Sequence, residues 1–290
     1  MANVADDFWL AEAVRRFQDK YASLINGRRV DVVGYRQSLF KFGRNLAMAN
    51  DTAETIWDLG PANETYISTN LIDAISSSSA SDTTTVRIEG HYASATDVFR
   101  FCIIEVALTG QTVVDLASAT VVSDLFGGFD GALVRAIRVL NVGAVSLVGD
   151  VYVYQSGQTV LLGVPQDLSL THCNIRGTAG LNQSNKCAAT TSNDAFYIVT
   201  GAQVGVSRAQ EAFVDFSLEV RHPSEVFRQK ALASSARTSG FTPMLDGIPY
   251  LIVPPNSDIR MRGTSSTDGL ASPNPVTAIA QFNGILGALI

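Results

Sequence analysis

The sequence predicts a mainly β protein, built as two β-sandwich (jelly-roll-like) domains preceded by an N-terminal amphipathic helix. Three observations carry this. After Gly27, short stretches rich in Val, Ile, Thr and Phe are broken by Gly, Asn, Ser or Asp about every eight to twelve residues, the rhythm of strands in a sandwich. A sustained helical period occurs clearly only over residues 6–25. The strand-like stretches number about fifteen, more than one sandwich needs, and a Gln155-Ser156-Gly157 break divides them. The expected units are therefore a helical arm over residues 1–29, one sandwich over 30–156 and a second over 157–290.

In the arm, Leu10, Val14, Phe17, Tyr21 and Leu24 step by four, three, four and three, which lays one apolar stripe along a helix. Asp6 or Asp7 can cap its start, and Asn26-Gly27 supplies the left-handed residue that ends it. The stripe can pack on its own domain or dock on a neighbouring subunit. On the second reading Phe8, Leu10, Val14, Phe17, Tyr21 and Leu24 are the candidate partner-interface residues.

The first series of expected strands covers residues 30–34, 39–42, 55–59, 72–76, 84–89, 99–108, 133–140 and 145–154. The tract SSSSASDTTT at 76–85 lies between strand-like runs, so it is expected to be a polar hairpin tip rather than a linker. A second series covers 159–164, 168–176, 195–199, 213–220, 250–253, 259–261 and 276–286, with the polar loop GTAGLNQSNK at 177–186. In YLIVPPNSDIRMRG, Pro254 and Pro255 end a strand because they lack N–H groups. Asn256, Ser257 and Asp258 then favour a tight turn through side-chain to backbone bonds, after which Ile259 and Met261 face a core and Arg260 and Arg262 face outward.

A chain of 290 residues buries roughly three quarters of its unfolded surface, so its core needs no disulfide or metal. Hydrophobic residues make up 46% and charged residues 17%, against about a quarter charged in an average soluble domain. Much of the surface is therefore small and polar, or covered by another subunit. A formal net charge of −6 argues against direct binding of nucleic acid, whose phosphates demand a basic face. Nothing approaches the roughly 18 consecutive apolar residues that span a bilayer, and Asp6 and Asp7 stand where a classical export signal carries positive charge. Cys102, Cys173 and Cys187 have no disulfide-framework spacing and read as buried reduced thiols.

No sequence pattern marks a reactive centre. The nucleophile elbow, the P-loop and the dinucleotide fingerprint are absent, and GGFDG at 127–131 reads as a turn. His91, His172 and His222 are the three histidines. His172, Cys173 and Cys187 could supply three zinc ligands, but neighbours on a strand point to opposite faces, so no metal site and no cofactor is expected. Asp130, Asp150, Asp194 and Asp258 adjoin turn formers, where a carboxylate that accepts backbone N–H bonds has a structural use. Asp and Glu are scattered singly over the expected strands and turns, with no local cluster that points to a glycosidase pair. The triplets Asn63-Glu64-Thr65 and Asn182-Gln183-Ser184 match the glycosylation pattern by accident in a chain expected to lack an export signal.

The series LFKFGRN (39–45), ETIWDLG (54–60), ISSSSASDTTTVRIEG (75–90), LTGQTVV (108–114), EVRHPSEVFRQK (219–230), IPYLIVPPNSDIRMRG (248–263) and AQFNGIL (280–286) resembles, in order, a group of virion structural proteins of tailed double-stranded DNA phages, frequent among marine phages. The resemblance covers most of residues 30–290. It departs at SNDAFYIVTG (192–201), where the family often has a Pro-Ala-Gly-Lys-like turn, and in its longer N-terminal helix. It implies a non-enzymatic virion component with no catalytic residues, assembled in the bacterial host cytoplasm. The implied role is a capsid decoration or cement protein, or alternatively a tail or collar adaptor between the head–tail connector and fibres. The implied partners are other virion proteins, namely the major capsid protein or portal and tail proteins, and further copies of the chain. A carbohydrate-binding or carbohydrate-cleaving module is the alternative from another class. Exposed aromatic platforms beside paired carboxylates would mark it, and the chain has only Trp9 and Trp57.

Overall fold

The computed structural model describes residues 32–59, 71–93, 99–124, 127–193, 195–207, 212–222, 225–236, 241–266 and 276–289. The expected arm with Phe8, Leu10, Val14, Phe17, Tyr21 and Leu24 lies outside these residues, as do Trp9, Asn63 and Asp194.

The strands of the first part of the chain are β1 (Val32–Met48), β2 (Ala53–Thr55), β3 (Ala74–Ser77), β4 (Thr85–Ala93), β5 (Phe99–Ala107), β6 (Val114–Asp115), β7 (Thr120–Asp124), β8 (Arg135–Asn141) and β9 (Val151–Tyr154). They continue with β10 (Val160–Leu161), β11 (Val164–Pro165), β12 (Thr171–Ile175), β13 (Ala188–Thr190), β14 (Ala195–Ser207) and β15 (Phe213–Arg221). The last are β16 (Arg228–Ala236), β17 (Thr242–Val253), β18 (Asp258–Ser266) and β19 (Val276–Leu289). The mainly β sandwich architecture expected from the strand rhythm is the one observed. Among the described residues no helix is long and apolar enough to cross a membrane.

Four of the sheets pair into two sandwiches. In one, the sheet β12-β9-β3-β6 faces β7-β5-β4-β8. Their inner faces meet in a core that includes Ile75, Ile88, Ile104, Val139, Val153 and Cys173. In the other, β1-β19-β14-β17 faces β13-β18-β15-β16, with β2 added on β18. This second core includes Tyr197, Val214, Phe216, Met261 and Phe282. Alternation does the sorting here: along β15 the residues Val214, Phe216, Leu218 and Val220 point in while their neighbours point out.

The expected boundary at 156–157 does not divide these cores. β1 pairs antiparallel with β19 along most of its length, and Met48 and Ile56 pack with residues 187–282. The stretch 72–181 forms the other core by itself, so one sandwich is inserted into the sequence of the other. The physical reason is that a strand shows in its own sequence which face is buried, but not which distant strand completes its ladder. Gly43 marks how closely the parts approach: a Cβ there would lie 2.2 Å from the Ile56 carbonyl oxygen and 2.5 Å from the Cys187 nitrogen.

Other expectations shift for local reasons. The tract at 76–85 is not a hairpin tip, because β3 and β4 belong to opposite sheets and the tract carries the chain from one to the other. Residues 145–150 form a turn rather than the first half of a strand, and β9 begins at Val151. All four residues of β9 are buried. Val151 and Val153 enter the sandwich core, whereas Tyr152 and Tyr154 lie under the β10–β11 hairpin with Val160 and Val164. The outer face of this sheet is thus covered by its own chain.

Candidate functional site

Two places concentrate side chains beyond what the cores need. The first is a buried polar seam where β8 and β12 of the inserted sandwich meet β1, β13 and β18 of the other. At its centre Asp258, at the start of β18, accepts from Arg221 Nη2 at 2.6 Å, Thr190 Oγ1 at 2.7 Å and Arg135 Nε at 3.3 Å. Arg135 comes from the inserted sandwich, so this carboxylate ties the two together. Burial alone would raise the pKa of Asp258, but the Arg135 and Arg221 guanidiniums with Thr190 hold it below the usual carboxylate value. Asp258 is therefore a buried ionic hub and not the turn cap expected of it.

The turn itself is held by other groups. Asn256 takes a left-handed conformation with φ of 55°. Ser257 N–H donates to Thr191 Oγ1 at 2.8 Å, Thr191 Oγ1 donates to the Pro254 carbonyl at 2.6 Å, and Asn256 Nδ2 donates to Asn193 Oδ1 at 2.9 Å. Beyond it, Ile259 and Met261 are buried in the core. Arg260 reaches Glu219 at 2.9 Å and stacks 3.6 Å from the centre of the Phe227 ring on the outward face. That alternation is the one the sequence predicts.

Three more cationic or basic groups line the seam. Lys41 Nζ donates to the Ile137 carbonyl at 3.0 Å, and burial pushes its pKa down to about 8. Lys186 Nζ donates to the His172 carbonyl at 2.5 Å and lies 5.7 Å from the centre of the Trp57 ring. His172 is held neutral: burial, then the charges of Lys186 and Arg135, lower its pKa to about 3. A cleft of about 10 Å³ lined by Arg135, Ala136, Ile137, Lys186 and Ala188 through Thr190 has room for about one water. A lysine of lowered pKa can act as a nucleophile when a substrate reaches it. Lys41 is enclosed and bonded to a carbonyl, so its lowered basicity here is a consequence of packing.

The second place is the end of the inserted sandwich where five turns converge, at residues 78–84, 108–113, 142–150, 162–163 and 176–187. Asp82 accepts from Val148 N–H and Gly149 N–H, each at 2.9 Å, and from Ser77 Oγ at 2.5 Å. Asp150 accepts from Thr178 N–H at 3.1 Å and Thr178 Oγ1 at 2.6 Å. Asn182 Oδ1 accepts from Asn141 Nδ2 at 2.9 Å and Leu147 N–H at 3.3 Å. Gly163, with φ of +75°, lies so close to the first turn that a Cβ would meet the Ser77 carbonyl oxygen at 1.8 Å. Around these ties Val113, Val142, Val145, Val148, Leu161 and Leu162 stand between 40% and 70% exposed.

The residues singled out from sequence fall as follows. Cys173 lies in the core of the inserted sandwich and Cys187 in the other, while His172 lies on the opposite face of β12 from Cys173, so the three do not converge. All three cysteines are buried and stand outside any disulfide, and burial pushes the Cys102 thiol up to about 12. Among the described residues no three metal-ligating side chains cluster. Trp57 is fully buried and presents no platform. His222 Nδ1 shares a 3.1 Å hydrogen bond with Ser257 Oγ. Lys41, Arg135, Lys186 and Asp82 are not singled out by sequence, and no local motif surrounds them. The weak signal was a lone charge within a strand-like run, as for Lys41 between Phe40 and Phe42.

No family model matches the chain, and no curated protein matches it. Among solved structures, similarity extends to a chain in the structure of infectious bursal disease virus Gt strain, with 9% identity, a TM-score of 0.25 and coverage of 93% of this chain and 77% of that one. A chain of the Gx strain of the same virus has 10% identity and a TM-score of 0.25, covering 89% and 74% respectively.

Proposed function

We propose that this chain is a non-enzymatic structural component of a phage virion, a capsid decoration or cement protein that binds the head lattice and stabilises it through subunit contacts. The observation that carries the reading is the loop end: apolar side chains stand out on turns that are tied down from beneath, which suits a contact surface better than a reaction site. The seam supports it in a second way. It spends its ionisable groups on joining two sandwiches, with Asp258 and His172 enclosed and held in one protonation state at neutral pH. The ordered resemblance across residues 30–290 supplies the virion context, and a surface poor in charge is compatible with broad burial against other subunits.

Cryo-electron microscopy of the intact particle tests this. Density for the two sandwiches on the head lattice is the expected result. Density confined to the tail or collar replaces the decoration role with that of an adaptor, and hydrolysis of a glycan by the purified protein overturns the non-enzymatic reading.

A further inference from the structure

We infer that the loop end of the inserted sandwich is the surface through which two copies of this chain meet. This deepens the proposed function by naming the contact, and it rests on that reading only for the particle in which the contact is used. The first argument is concentration. Other exposed apolar side chains lie on separate elements, such as Phe40 on β1, Val122 on β7 and Leu232 on β16. Five of the six at the loop end stand on three turns that are bonded or packed to one another, and Leu161 ends β10 beside them.

The second argument is charge. The five turns contain two carboxylates, Asp82 and Asp150, and two cations, Arg176 and Lys186, so their formal charge is zero while the chain carries −6. Asp82 is satisfied by backbone N–H groups and a serine hydroxyl, Arg176 lies 3.9 Å from Asp150, and Lys186 is turned into the seam. A surface that meets its own copy across a two-fold axis must be complementary to itself. Neutral apolar surface satisfies that condition, whereas the acidic remainder repels its like. The third argument is preorganisation: the ties to Asp82, Asp150 and Asn182 hold the turns in place before contact, so little ordering is left to oppose association.

The end of a sandwich four strands wide, with a hairpin as a third layer, spans roughly 20 by 20 Å at ordinary strand and sheet spacings. A contact of that size is at the small end of specific interfaces, so association in free solution is weak and is reinforced by other contacts in an assembly. Sedimentation of the full chain from roughly 1 to 100 μM spans the affinity such a contact supports. The expected result is concentration-dependent association that weakens at least about tenfold in the double variant Val145→Glu, Leu161→Glu, because two unpaired charges enter an apolar contact. The melting temperature should hold, since both side chains are exposed, and Val226→Glu on the other sandwich should leave association unchanged. A chain that stays monomeric over the whole range overturns the inference, as does association that survives the double substitution or is lost equally with Val226→Glu. Binding of the monomer to preformed capsid shells through the same residues would assign the surface to a different partner and also overturn it. Self-association is read in solution and particle location by imaging, so failure of one is distinguishable from failure of the other.

Discussion

Asp258 in the seam and Asp82 at the loop end are both almost wholly buried, but their surroundings differ. Asp258 sits among two guanidiniums and a hydroxyl contributed by β8, β13 and β15, whereas Asp82 accepts from two consecutive backbone N–H groups and a serine five residues before it. A carboxylate that joins strands distant in sequence needs counter-ions, because the backbone groups of those strands are already committed to their ladders. A carboxylate inside a turn can use N–H groups that no ladder employs. Charge is thus the means of joining the sandwiches, and hydrogen bonding to the main chain is the means of shaping one end.

The sharpest way to break this comparison is Asp258→Ala. It leaves Arg135 and Arg221 facing each other without their carboxylate and is expected to cost about 3–5 kcal/mol in urea denaturation. Next comes acid. His172 has a folded pKa of about 3 against an unfolded value of 6.5, so the folded state binds fewer protons between these limits. Stability is complete above the unfolded value and falls as pH drops through the window, by up to about 1.4 kcal/mol per pH unit. Asp258, whose pKa is also lowered, adds to the loss in the same direction. Stability curves against pH for His172→Gln should be shallower than those of the unchanged protein, and equal slopes would show that His172 does not titrate this way.

Asp82→Ala is expected to cost less than Asp258→Ala, about 1–3 kcal/mol, since the donors it strands are neutral rather than charged. Equal costs for the two would remove the distinction between ionic and main-chain anchoring. The smallest effect at neutral pH is expected from Lys41→Met, which should hold or slightly raise stability because an apolar side chain escapes the burial cost of an ammonium. Its signature is at alkaline pH. The folded pKa of Lys41 is about 8 and the unfolded value 10.5, so unfolding takes up a proton between them and the unchanged protein gains stability as pH rises through that window. The variant should lack that gain in thermal melts.

How much of this was legible in the chain depended on range. Alternation along 259–262 was legible because each residue reports its own face, and the paired prolines located the end of β17. The fate of Asp258 was not, since Arg135 and Arg221 stand 123 and 37 residues away. Asp82 was hidden for the same reason: its donors at 148 and 149 belong to a turn between two other strands. The exposed valines of 142–148 resemble the start of a strand in composition, and only the neighbouring turns show that they stand in solvent.

By itself the sequence determined the class of fold, the approximate number of strands, the inward and outward faces of the best-patterned ones, and a charge balance unsuited to nucleic acid. These follow from local periodicity and from totals, which need no knowledge of partners. The tertiary structure alone decided that β1 closes against β19, that one sandwich interrupts the other, and that Lys41, Arg135 and Asp258 share a seam. Pairing strands at opposite ends of a chain is a choice among many ladders of similar local pattern, and it is settled by the joint burial of whole sheets rather than by any one segment.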